Sequence, residues 1–225
     1  MIDIQNVGVI EIAGFEIIIS ETLVNTWIVM AILIILAIIA RIAMKNFELV
    51  PKGFQNVIEA IVETFDNFVV GTVGRKLSYV APYFFAVFMF ILSSSLFSIF
   101  GMRSPTADWS TTFALALGSF IVMIVMGLRH RKGNYVKSLF EPMFFMFPLN
   151  LVSELAKPVS LSFRLFGNVL SGTVIVILYY SLTPLWAQFG IPVLIHAFFD
   201  ILFGALQTYI FVILSLSYVN GAANE

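Results

Sequence analysis

Residues 150–171 read NLVSELAKPVSLSFRLFGNVLS, and after Arg164 in this stretch no charged side chain appears until Asp200. A guanidinium beside so long an apolar run does not serve solubility. Burying arginine at a bilayer centre costs roughly 2.5–3.5 kcal/mol on insertion scales. Arginine also stays protonated in any protein environment, so the chain fixes a positive charge at membrane depth and cannot switch it off. Wound as a helix at 100° per residue, Asn150, Ser153, Lys157, Ser160, Arg164, Asn168 and Ser171 fall within about 40° of Arg164. A hydrophilic stripe on a membrane helix faces water, a cavity or a polar partner. Ser160, Gly167, Ser171 and Gly172 are small enough for another helix to approach closely. The competing reading is a buried seam within this chain. Against it stand two cations, Lys157 and Arg164, with no facing acid in the immediate sequence.

The rest of the chain fits a membrane setting. Of 225 residues, 60% are hydrophobic and 11% charged, with a mean hydropathy of +1.00. A soluble domain needs far more polar surface. The net charge of −1 gives no nucleic-acid footprint. The absence of cysteine excludes disulfides and cysteine-ligated metals. The early charges are acidic (Asp3, Glu11, Glu16, Glu21), unlike the basic start of a cleaved signal peptide. The expectation is one membrane-embedded, all-α domain over residues 1–225.

Apolar stretches at 22–40, 77–102 and 109–128 have the length of membrane crossings. Two more, 147–181 and 190–219, approach 30 residues or exceed them, so these helices must tilt strongly or kink, with Pro158 a candidate kink. Of twelve Lys and Arg, five cluster at Arg41, Lys45, Lys52, Arg75 and Lys76, and four at Arg129, Arg131, Lys132 and Lys137. The positive-inside rule places both clusters in the cytoplasm, giving five crossings, an outside N-terminus and a cytoplasmic C-terminus. Residues 54–69 repeat apolar side chains at helical spacing, with Glu59, Glu63 and Asp66 on the other side. This predicts an amphipathic helix at the membrane interface, against the other reading of an ordinary bundle helix between basic flanks. Its acidic face is unusual for a lipid-binding helix and also fits a protein partner.

The last span carries His196, Asp200 and Gln207 at spacings of four and seven. An intramembrane Asp is a functional candidate by default. Its open roles are proton relay, cation contact, or a salt bridge to Lys157 or Arg164. His196 reads as an interfacial histidine near the outer end, and Gln207 equally as a helix–helix bond or a pathway residue. No third ligand accompanies a His196–Asp200 metal pair. An anion–proton transporter would also use Arg164 and Asp200, but the internal repeats common in transporters are missing. An intramembrane protease lacks its motif, since His196-Ala197-Phe198-Phe199-Asp200 is not His-Glu-x-x-His.

Lys157 to Asn168 closely resembles the core motif of subunit a of the F-type ATP synthases. Pro105-Thr106-Ala107-Asp108 with Thr111 to Ala116, Pro51 to Asn56, and Gln207-Thr208-Tyr209-Ile210-Phe211 resemble three further motifs of that family, and the likeness covers nearly the whole chain. The resemblance implies a non-catalytic subunit with no cofactor in a bacterial cell (inner) membrane, beside a c-ring and a peripheral stalk subunit b. It implies two offset half-channels for H⁺ or Na⁺. Arg164 would match the family's essential arginine and Gln207 its neighbouring glutamine, with Arg164, Asn168 and Ser171 facing the ring. Lys157, Ser160, Ser171, Thr173, His196 and Asp200 would accompany them in ion translocation. Two positions depart from the family pattern. The acid nine residues after the arginine is here Thr173, and the histidine seven before the glutamine is Asp200. Thr173 is left with two readings, ion transfer or a bond to its own backbone.

Overall fold

A computed structural model describes residues 6–12, 15–44, 53–98, 102–140, 143–184, 195 and 197–224. Among these, five helices are long and apolar enough to cross a membrane: Glu21–Ala43, Arg75–Phe97, Trp109–Arg131, Phe147–Leu182 and Phe198–Asn224. The all-α polytopic architecture expected from the hydropathy pattern is therefore present, with the first four spans close to their expected bounds; the expected start of the last, residues 190–194, lies outside the described residues. The architecture has one addition. Strands β1 (Asn6–Ile12) and β2 (Phe15–Ser20) pair antiparallel ahead of the first span.

Helix α1 (Glu21–Ala43) starts on the side chain of Ser20, which accepts from the Leu23 N–H. An N-cap serine satisfies one of the donors that a helix start leaves unpaired. Glu21 in the first turn and Arg41 in the last complement the helix dipole. Beyond Val29 its side chains are mostly exposed and apolar, Ile34 and Ile42 at 59% and 66%. Such exposure is tenable in hydrocarbon and not in water.

Helix α2 (Phe54–Val73) is the amphipathic element. Glycines bound it at both ends, Gly53 at φ 57° and Gly74 at φ 79°, a region where a Cβ would be strained. Phe54, Val57, Ile61 and Val62 are exposed, whereas Val69 and Val73 are buried. Phe65 meets Phe85 edge-on at 5.1 Å, and Phe68 lies 5.5 Å from Tyr209. One end of α2 is thus pinned to the bundle while the other presents an apolar face, as an interfacial helix should.

Helices α3 (Ala81–Phe97), α4 (Trp109–Arg131) and α6 (Phe147–Leu182) form the bundle with α7 (Gly204–Asn224); a short α5 (Gly133–Ser138) follows α4. Phe84 and Ile91 of α3, Met123 of α4, Leu165 of α6, and Phe211 and Leu216 of α7 are fully or almost fully buried. A π-helical turn, Ala197–Phe203, leads into α7. At its end Gly204 lies so near Ser95 that a Cβ would sit 2.7 Å from the serine Cβ.

Helix α6 runs on through the buried Pro158 for 36 residues. At 1.5 Å per residue that is about 54 Å, against roughly 30 Å of hydrocarbon, so it must lie strongly tilted. The crossing that ends in α7 has 27 residues and is subject to the same constraint.

Candidate functional site

The stripe on α6 divides in two. Ser153, Ser160, Arg164, Asn168 and Ser171 are exposed on the outer surface of the bundle. Asn150 and Lys157 are half-buried and engaged with the chain itself. Asn150 Nδ2 donates to the Leu139 carbonyl at 2.9 Å, tying the start of α6 to the end of α5. Lys157 Nζ bonds Glu154 Oε1 at 2.5 Å and lies 5.5 Å from the centre of the Tyr218 ring. The expectation that no acid faces the two cations is therefore corrected for Lys157. Glu154 sits about 80° around the helix from Arg164 at 100° per residue, just outside the stripe, and the flexible lysine stem reaches it. Arg164 has neither a hydrogen bond nor an ion pair among the described residues.

Behind Arg164 the helix is locked in place. Leu161, Ser162 and Leu165 are buried, and the Ser162 hydroxyl is 3.2 Å from the Thr112 hydroxyl of α4. A buried hydroxyl pair fixes rotation about the helix axis more sharply than apolar contact does. One turn beyond the arginine, Asn168 Nδ2 donates to Gln207 Oε1 of α7 at 2.6 Å. Gln207 is 4% exposed, and its Nε2 has no partner among the described residues. Of the two readings of Gln207, the helix–helix bond exists and leaves its amide donors unspent.

Two cavities reach α6 on either side of Arg164, one mainly apolar with polar residues set into its wall and one mainly polar. The outer one, about 300 Å³, is lined by Glu21, Arg103, Ser104, Thr173, Ile177 and Asp200. A small void of about 30 Å³ shares Ser98, Ser104 and Asp200 with it and reaches Asn168 and Gln207. The inner one, about 420 Å³, is lined by Arg131, Tyr135, Glu154, Lys157, Ser217 and Tyr218. A further void of about 10 Å³ touches Lys157, Ser119, Ser215 and Tyr218. Along α6 the inner cavity meets residues 154 and 157 and the outer one residues 169–177, with Arg164 between them.

The walls differ in chemistry. Thr22 donates to Asp108, Asp108 pairs with Arg103 at 3.5 Å, and Asn25 Nδ2 donates to the Arg103 carbonyl at 2.8 Å. Ser104 Oγ donates to the Ser94 carbonyl at 2.8 Å. These bonds fix the loop that roofs the outer cavity. Asp200 lies in the π-helical turn, half-buried. Thr173 lines the outer cavity and its hydroxyl donates to the Val169 carbonyl of its own helix at 3.0 Å. Ser171 does likewise to Gly167 at 2.7 Å. His196 lies outside the described residues. In the inner cavity, burial first and the Glu154 charge second raise the Tyr135 phenol above its ordinary value, with Arg131 opposing. Glu154, Ser162 and Thr112 had escaped the stripe reading. An acid three residues before a stripe lysine is the sequence signal that finds the first of them.

Fold and site together define a polytopic helical membrane protein that presents a fixed cation, unpaired among the described residues, between two cavities. The family described as ATP synthase A chain matches residues 23–220. The chain is 36% identical over 204 residues to ATP synthase subunit a of Moorella thermoacetica, covering 89% of each chain. It is 34% identical over 229 residues to "ATP synthase subunit a, sodium ion specific" of Propionigenium modestum, covering 94% of this chain and 76% of that one. Subunit a 2 of Picosynechococcus is 32% identical over 211 residues. The chain belongs to the ATP synthase A chain family, whose members are non-catalytic membrane subunits of the synthase complex.

Proposed function

We propose that this subunit is the ion-translocating stator of a rotary ATP synthase, and that its two cavities are the half-channels by which H⁺ or Na⁺ reaches and leaves a neighbouring c-ring. The observation that carries the reading is Arg164: exposed on the bundle surface, unpaired among the described residues, and placed between cavities that reach α6 above and below it. A ring carboxylate passing through lipid must be neutral, because an ionised one bears a heavy desolvation cost. As it meets the guanidinium, the opposite charge lowers its pKa by roughly 1–3 and the ion leaves. The fixed cation also repels ions that would run straight from one cavity to the other. Each elementary charge crossing ~100 mV yields about 2.3 kcal/mol for work elsewhere in the complex.

The exposed Arg164, Asn168 and Ser171 form the ring-facing line, with Ser160 beside them. The basic clusters at 41–76 and 129–137 lie on the cytoplasmic side, so the inner cavity opens to the cytoplasm and the N-terminus lies outside. Asp200 and Thr173 serve the outer half-channel, with Asp200 supplying the carboxylate and Gln207 and Asn168 leading toward the arginine. A peripheral stalk subunit b and membrane lipid complete its surroundings. The test is Arg164→Ala in vesicles carrying the whole complex. Ion-driven ATP synthesis is lost while hydrolysis at the soluble sector persists; retained coupling would count against the assignment.

A further inference from the structure

The ring, the arginine and Asp200 leave the carboxylate of the inner cavity, Glu154, without a task. Glu154 points into the inner cavity, where only one of its carboxylate oxygens is occupied. Oε1 receives Lys157 Nζ at 2.5 Å. Oε2 is buried and has no hydrogen-bond partner among the described residues. A buried carboxylate oxygen without a donor is costly, and it persists where it has something to bind. The cavity beside it holds about 420 Å³, room for many waters. The ionisable groups that face it come from every neighbouring element: Arg131 from α4, Tyr135 from α5, Lys157 from α6 and Tyr218 from α7. Among the described residues that line it, Glu154 is the only carboxylate.

Its position along the helix matters equally. Arg164 lies ten residues further along α6, about 15 Å at 1.5 Å per residue, beyond the depth that the inner cavity reaches. Between them stand Lys157 and the small void that touches Ser215, whose buried Oγ also has no partner among the described residues.

Resting on the stator reading above, we propose that Glu154 is the cation relay of the inner half-channel, with Lys157 as the residue that positions it. A hydronium from the ring side gives its proton to Oε2, leaving water and a neutral carboxylic acid. The acid then passes that proton to a water at the cytoplasmic end, restoring hydronium and carboxylate. With Na⁺ no covalent bond changes: the ion is bound by Oε2 and released to water. Both ions use one property, a carboxylate oxygen that no donor holds, on a side chain that lines the cavity.

The experiment uses vesicles holding the membrane sector with its ring, and reads cation uptake driven by a potassium diffusion potential. One arm varies pH at fixed Na⁺; the other varies Na⁺ at fixed pH. Glu154→Gln lowers uptake about tenfold or more and flattens the dependence on whichever ion is carried, while Glu154→Asp restores most of it. Unaltered uptake and ion dependence in Glu154→Gln overturn the proposal. Because that variant leaves Lys157 without its acid, Glu154→Gln with Lys157→Met is measured beside it. A purely structural pair predicts that the double variant recovers, which also overturns the proposal; a relay predicts that it stays impaired. Failure of the stator reading shows separately, as coupling that survives Arg164→Ala.

Discussion

The outer and inner cavities share α6 as a wall and are built by opposite means. The outer one is roofed by a loop. Its shape depends on Thr22, Asn25 and Ser104 bonding the segment around Arg103 and Asp108. The inner one is framed by helices, with its polarity supplied by the Glu154–Lys157 pair and the ring of Tyr135. The loop-built chamber takes Asp200 from a π-helical turn, where the ladder is already locally rearranged, and Glu21 from the first turn of α1. A helix-built chamber carries its acid on a regular turn and must neutralise it there. Hydrogen bonds closed by the Arg103–Asp108 pair across a loop in one region, and the Glu154–Lys157 pair within one helix in the other, both hold charge in a low-dielectric setting.

The largest test of that contrast is Asp200→Asn. Ion-driven synthesis should fall about tenfold or more with the ring still bound, since among the described residues Asp200 is the one carboxylate that lines both the outer chamber and the void beside Asn168 and Gln207. Undiminished synthesis would remove Asp200 from the pathway. The inner frame is probed by Gly127→Val. A Cβ there would meet the Tyr135 ring at 2.8 Å, so α5 must shift at a cost of about 1–3 kcal/mol. A lower Tm of the purified complex measures it, and an unchanged one would mean that α5 is loosely held. Smaller is Asp108→Asn, which weakens the roof of the outer chamber by about 1 kcal/mol, the Arg103 pair being partly exposed. Hydrogen exchange should quicken over residues 22–29 and stay unchanged over 204–224. The smallest effect is the titration of Tyr135. Its folded value is raised, so the neutral phenol's contribution to stability is complete below the ordinary tyrosine value of 10.0 and is lost as pH rises through the folded one. The difference in phenolate absorbance between wild type and Tyr135→Phe should therefore appear above 10.0.

Hydropathy made the five spans and the surface helix legible because hydrocarbon imposes one long apolar run per crossing. The β1–β2 hairpin escaped that reading. Its Val and Ile runs are short, and the acids among them drew attention as charge. The Arg164 stripe was legible because a regular helix keeps its phase at 100° per residue. The same rule hid Glu154, which lies off the stripe and is reached sideways by a lysine stem. It also simplified the last span. Asp200 lies in π-type bonding and Gln207 in α-type, so no single phase relates them, yet both line the small void beside Asn168.

The unbroken run of α6 through Pro158 has a mechanical result. A rod longer than the layer it crosses has its lean as an adjustable variable, and both chambers borrow a wall from this rod. In a thicker bilayer a tilted helix stands more upright, so the walls that both chambers take from α6 would move together instead of independently. Under the stator reading, lipid thickness would reach both chambers through a single helix.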